Sequence, residues 1–132
     1  MTLVHHFLEH SADRLPDKVA LVCDGQRLTY AQVEAAANRL AHALRDRGVG
    51  RGDRVVLYLP NCVELVVGIF AAMKAGGVFV VVNYSTKYDK LAYVCGNCGA
   101  SARVTTKPRA AWAERLSQQV TSLQAVVLTR LE

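Results

Sequence analysis

The sequence predicts a layered α/β fold: a mostly parallel sheet with helices on both faces, preceded by a short helix and a β-hairpin. Three observations predict it. Two unbroken apolar runs, Val55 to Leu59 and Val78 to Val82, suit strands that are covered on both faces. Segments with apolar residues at helical spacing alternate with such runs through to the end of the chain. Near the start, Asp24-Gly25 separates two β-rich runs, and a two-residue hairpin turn needs the positive φ that glycine supplies freely.

Each element follows from its own residues. Phe7, Leu8, Ala12 and Leu15 precede Pro16 at helical spacing, which predicts a short amphipathic helix with those four toward the core. Val19 to Cys23 and Arg27 to Tyr30 form the hairpin strands. Thr29 ends the second strand and caps the next helix, with Gln32 three residues later completing a capping box. That helix places Val33, Ala36, Ala37, Leu40, Ala43 and Leu44 on one face and stops at Gly48, a left-handed position.

Asn61, with Glu64 three residues on, is expected to cap the following helix. Its body, Leu65 to Met73, is apolar nearly all round, so deep burial is expected. Gly76-Gly77 ends it, and Val78 to Val82 is expected to be a second buried strand. Ser85 or Thr86 then opens a helix with Leu91, Val94, Cys95 and Cys98 on one stripe, stopped by Gly99. The strand Ala102 to Thr105, a helix face of Trp112, Leu116 and Val120, and the strand Ala125 to Leu128 complete the order. This alternation implies parallel strands joined by right-handed crossovers. No internal repeat or low-complexity linker interrupts it, so residues 1–132 are expected to form a single domain.

Composition excludes several classes. With 52% hydrophobic and 20% charged residues, the chain is globular rather than disordered. Its most apolar stretch, Val55 to Val82, is broken by Pro60, Glu64, Lys74 and Gly76-Gly77, short of the ~20 apolar residues a membrane span requires. No cationic stretch precedes an apolar one at the start, so no secretory leader is expected and the chain reads as cytoplasmic. The net charge is +5, but Arg45, Arg47, Arg51 and Arg54 are interleaved with Asp46 and Asp53 and carry no aromatic residue for base stacking. They read as a solvated surface, with Arg45 and Arg47 complementing a helix C-terminus, and no nucleic-acid partner is expected.

The motifs that invite chemistry have plainer readings. Gly48-x-Gly50-x-Gly52 lies after a helix and before a strand, the reverse of a phosphate-binding fingerprint. Cys95-x-x-Cys98 has no second ligand pair for zinc and falls at the C-terminal end of a helix, so both thiols are expected to be reduced and buried. Cys23 and Cys62 stand alone in the sequence and read as core or helix-start residues. His5, His6 and His10 share the first helix without an acidic third ligand. No Gly-x-Ser-x-Gly elbow or triad order is present. Catalytic, cofactor-binding and metal residues are therefore all expected to be none in this chain.

Two segments carry a resemblance. Leu28-Thr29-Tyr30-Ala31-Gln32-Val33 resembles the first short motif of the adenylate-forming superfamily, usually Leu-Thr-Tyr-x-Glu-Leu. Met73-Lys74-Ala75-Gly76-Gly77-Val78-Phe79-Val80 through Asn83 resembles its second, a Lys-Ala-Gly run ending in Val-Pro-x-Asn-Pro. Gly50-Arg51-Gly52-Asp53-Arg54-Val55 between them, then Leu91-Ala92-Tyr93 and Cys98-Gly99-Ala100, follow in the family's order and spacing. Val81, Tyr84 and Tyr88 depart from it, standing where many relatives have proline. Proline fixes φ and lacks a donor, so the path from Val80 to Tyr88 is where this chain is expected to differ.

The resemblance implies the N-terminal segment of an acyl-CoA synthetase or acyl-AMP ligase, part of the N-terminal domain of the adenylate-forming fold. The family activates a carboxylic acid, here expected to be a fatty acid, with ATP and magnesium to an acyl-adenylate. It then passes the acyl group to a thiol such as coenzyme A. Its phosphate loop ending in Pro-Lys-Gly and its catalytic Lys belong to later parts of the chain, so ATP, Mg and coenzyme A are implied for the full-length parent and none for this chain. The chain alone is expected to be inactive, and the remainder of the parent enzyme is its implied partner. A nonribosomal-peptide adenylation domain is the nearest alternative, and a non-catalytic scaffold or self-association module is the alternative from another class. The aliphatic second motif and the short Asp24-Gly25 turn favour acyl-CoA ligases. A segment without its parent leaves apolar surface and a strand edge open, so a homo-oligomer is expected.

Overall fold

The computed structural model describes residues 2–129. Helix α1, Val4–Arg14, leads into an antiparallel hairpin of β1, Val19–Cys23, and β2, Gln26–Thr29. Asp24 and Gly25 both take positive φ, 50° and 80°, the combination whose twist matches the flanking strands. Helix α2, Tyr30–Asp46, starts on the expected reciprocal cap: Gln32 N donates to Thr29 Oγ1 at 3.2 Å, and Thr29 N donates to Gln32 Oε1 at 2.8 Å. Gly48 closes the helix end at φ 95°.

The rest alternates as β3 Arg54–Tyr58, α3 Val63–Lys74, β4 Val78–Val82, α4 Tyr88–Asn97, β5 Ala102–Thr106, a 3₁₀ turn over Lys107–Arg109, α5 Ala110–Gln119 and β6 Ala125–Thr129. The four later strands are all parallel, in the order β4-β3-β5-β6. The period of two sorts β3 between two cores. Val55 and Leu57 join Leu44, Ala71, Ala72 and Val104 on one side, while Val56 and Tyr58 join Tyr88, Leu91, Cys95 and Leu116 on the other. Helices α2 and α3 therefore cover one face, and α4 and α5 the other. A smaller cluster of Leu8, Val33 and Ala37, with Leu21, Leu28 and Phe70 against it, attaches α1 and the hairpin.

Several local expectations needed correction. Strand β4 is an edge strand, with Val78, Phe79 and Val81 exposed rather than buried, because β3 is its one neighbour among the described residues. In α1 Leu8 alone is buried, and Phe7 and Leu15 are exposed. The buried stripe of α2 includes Ala41, and Ala43 faces solvent. Cys62, not Asn61, is the N-cap of α3, and Leu65, Ile69 and Phe70 are only half-buried. Lys87, not Ser85 or Thr86, caps α4, and Cys98 is half-buried beside the fully buried Cys95. Among the described residues no helix is long and apolar enough to cross a membrane.

Candidate functional site

In open parallel sheets, ligands lie outside the carboxyl ends of the strands, where the order of strands reverses. That point falls between β3 and β5, because the chain leaves β3 for β4 on one side and returns to β5 on the other. Tyr58 ends β3 there, and its single O–H is shared between the carbonyl oxygens of Tyr84 and Thr86, at 2.9 and 2.7 Å. Tyr84 O–H and Thr106 Oγ1 share a hydrogen bond of 2.7 Å, and Thr105 Oγ1 donates to Tyr58 O at 3.0 Å. The Arg109 guanidinium covers the rings of Tyr84 and Trp112 at 5.0 and 4.5 Å. Tyr84, one of the positions departing from the family's proline, thus turns back over the sheet and closes the crevice with the chain's own side chains. Beside it, Leu59, Pro60, Asn61, Leu65, Val82 and Asn83 line an open cavity of about 420 Å³.

Beneath this edge lies Arg103 on β5. It is fully buried, its guanidinium stands 5.5 Å from the Tyr58 ring, and none of its three side-chain nitrogens has a hydrogen-bond partner. Burial pulls its pKa down. Burial also pushes the Tyr58 hydroxyl above its ordinary range, so at neutral pH it is a donor that holds the Tyr84–Thr86 loop and not a base.

At the amino edge the glycine-rich loop has its amides committed. Gly48 N donates to Arg45 O, Gly50 N to Asp53 Oδ2 and Gly52 N to Gly76 O. An amide nest for phosphate requires free N–H groups, and these residues do not fit one. Lys74, from the second motif, is nearly buried between helices. Its Nζ pairs with Glu9 of α1 at 3.0 Å and with Glu34 of α2, so it staples three helices together. Sequence spacing carried no signal for this triad, because its members lie far apart along the chain.

The histidines cluster without converging on a ligand. His5 and His6 rings sit 4.7 Å apart, and His6 Nδ1 accepts from Leu3 N. Among the described residues no group of three or more His, Cys, Asp or Glu is placed to hold a metal ion, so no step through magnesium is derived from this chain. Cys98 Sγ donates to Cys95 O at 3.7 Å, and burial pushes the Cys95 thiol up to about 11. Cys23 and Cys62, isolated in the sequence, line one small cavity with Asp24 and Glu64.

A family profile described as AMP-binding enzyme matches residues 8–131. The chain belongs to that family. It is 46% identical over 96 residues to the medium/long-chain-fatty-acid–CoA/3-oxocholest-4-en-26-oate–CoA ligase of Mycobacterium marinum, covering 73% of this chain and 18% of that ligase. It is 36% identical over 103 residues to bacitracin synthase 1 of Bacillus licheniformis, covering 78% of this chain and 2% of that protein. In three dimensions it superposes on the N-terminal domain of FACL13 from Mycobacterium tuberculosis with a TM-score of 0.88 at 28% identity, covering 98% of this chain and 34% of that one. The chain is thus an N-terminal segment of acyl-CoA synthetase type, spanning about a fifth of the ligase it matches.

Proposed function

We propose that this segment serves an acyl-CoA synthetase that activates a fatty acid with ATP to an acyl-adenylate and transfers the acyl group to coenzyme A. The observation that carries the proposal is the 46% identity to a fatty-acid–CoA ligase, extending over most of the chain. In this reading residues 1–132 act as one unit of a larger N-terminal domain and supply no catalytic, nucleotide-binding or metal residue. The Tyr58–Tyr84–Arg109 stack supports that role, because it fills the switch point with the chain's own side chains, next to the open cavity beside Asn61 and Asn83. ATP, magnesium and coenzyme A would be held by the remainder of the parent enzyme. A cytoplasmic location belongs to the same proposal, and four free thiols fit a reducing compartment.

A chimera tests it. Residues 1–132 replace the matching segment of the M. marinum ligase, and fatty-acid-dependent AMP release is measured beside the 132-residue chain alone. The chimera is expected to turn over fatty acids, and the isolated chain is expected to show no acid-dependent pyrophosphate exchange. A folded chimera inactive toward fatty acids, or exchange by the isolated chain, would defeat the proposal. The similarity to bacitracin synthase 1 favours one second reading, an amino-acid-activating parent, and a chimera that prefers amino acids would establish it.

Assembly is part of the same reading. Val78, Phe79 and Val81 leave the β4 edge apolar and unpaired among the described residues. Exposed edges of that kind pair with other chains. The isolated chain is expected to form a homo-oligomer at micromolar concentration, and light scattering that finds a monomer would remove this element.

A further inference from the structure

Cys23 and Cys62 come from different layers of the molecule. Cys23 ends β1 of the hairpin, and Cys62 is the N-cap of α3. The fold brings them to one cavity of about 90 Å³, lined by Cys23, Asp24, Gln26, Cys62, Val63 and Glu64. Cys23 Sγ donates to the carbonyl oxygen of Asn61, the residue before Cys62, at 3.7 Å. Standard peptide dimensions then put Cys23 Sγ within roughly 6.5 Å of the Cys62 Cα. Leu65 N–H donates to the Cys62 carbonyl oxygen at 3.2 Å, and the Cys62 thiol makes no cap bond to the helix. Cys23 is half-exposed and reachable from solvent, whereas Cys62 is buried behind it.

We propose that Cys23 and Cys62 form an oxidation site, in which a peroxide attacked by Cys23 leads to a disulfide that ties the hairpin to the start of α3. The chemistry balances with one peroxide. The Cys23 thiolate attacks one peroxide oxygen, the O–O bond breaks, and a sulfenic acid and one water result. The Cys62 thiolate then attacks the Cys23 sulfur, the S–O bond breaks, and a second water leaves as the S–S bond forms. Two thiols lose two electrons in total, and the peroxide oxygens gain them. The bond pins the Leu59–Cys62 stretch, whose first three residues line the cavity at the carboxyl edge of the sheet.

Both thiols are poor nucleophiles at rest. Burial raises both pKa values, and the Asp24 carboxylate adds to the rise at Cys23 as Glu64 does at Cys62. Crosslinking is therefore slow at neutral pH and accelerates as pH rises toward the thiol range. The Cys95–Cys98 pair is the internal comparison: Cys98 Sγ donates to Cys95 O, and burial holds the Cys95 thiol up at about 11.

The test treats the native 132-residue chain with hydrogen peroxide and maps its tryptic peptides without reduction. A mass loss of two hydrogens and a reducible link between peptides 19–27 and 55–74 are expected, forming faster at alkaline pH. Cys62→Ser is expected to abolish the link and leave a sulfenic acid at Cys23 that dimedone labels. A link between Cys95 and Cys98 instead, a disulfide joining two chains, or overoxidised Cys23 with Cys62 still free would overturn the proposal. The map of the unmutated chain decides by itself, so the outcome stands even where the serine variant fails to fold.

Discussion

The two faces of the parallel sheet solve the same packing problem with different chemistry. Under α2 and α3, β3 presents Val55 and Leu57 to Leu44, Ala71, Ala72 and Val104, in a cluster that is aliphatic apart from Cys62. Helix α3 comes close because Gly68 leaves room for Leu57: a Cβ there would stand 3.0 Å from Leu57 Cδ2. Under α4 and α5 the same strand presents Val56 and Tyr58 to Tyr88, Cys95 and Trp112, with the unpaired Arg103 guanidinium among them. The first face is held by close contact and loss of apolar surface. The second combines those with polar groups that demand partners. The difference teaches where this fold tolerates change: the aliphatic face is close-packed with no slack, whereas the aromatic face holds a buried charge whose one partner is the Tyr58 ring.

The largest effect is expected on the aliphatic side. Leu57→Ala removes a fully buried side chain from the centre of the sheet and leaves a cavity that Gly68 cannot fill. A loss of about 2–5 kcal/mol is expected in urea unfolding. On the aromatic side the sign should reverse. Arg103→Met keeps most of the volume and removes a buried charge whose one compensation is the Tyr58 ring, so stability is expected to rise by about 1 kcal/mol. A strong loss for Arg103→Met would show that the guanidinium is paired in solution, and the contrast between the faces would disappear.

The smallest effect concerns α1, which is tied to neither sheet face. His5 stands among His6, Glu9, Lys74 and Glu34, and burial, followed by the His6 charge, holds its pKa below the ordinary 6.5. The unfolded chain therefore takes up this proton first, and the docking of α1 is expected to weaken as pH falls below about 6.5. The Glu9 carboxyl is held below its ordinary 4.5 mainly by its hydrogen bond from Lys74, so its contribution persists above that value and is lost at lower pH. Protection factors of the α1 amides, taken relative to intrinsic exchange at each pH, should show two successive decreases from neutral to acid pH while the sheet stays protected. An α1 whose protection factors stay constant across the range would break this account.

What the sequence by itself determined is local. Asp24-Gly25 specifies its turn through backbone φ, Thr29 and Gln32 cap α2 across one helical turn, and the unbroken run at Val55 announces a strand covered on both sides. Each depends on residues within a few positions of one another, and the family resemblance rested likewise on two short motifs, Leu28 to Val33 and Met73 to Asn83. Tertiary structure alone decided the rest. Val78 to Val82 is as apolar as β3, yet only the strand order β4-β3-β5-β6 makes it an edge. Phe7 and Ala43 keep helical spacing but turn away from the core, because the depth of burial depends on where neighbouring layers end. Lys74 with Glu9 and Glu34, and Cys23 with Cys62, come together from positions far apart in the sequence, with whole helices and strands between them. Hydrophobic spacing records which face of an element is apolar, not which distant side chain will stand against it, so those meetings exist only once the layers have packed.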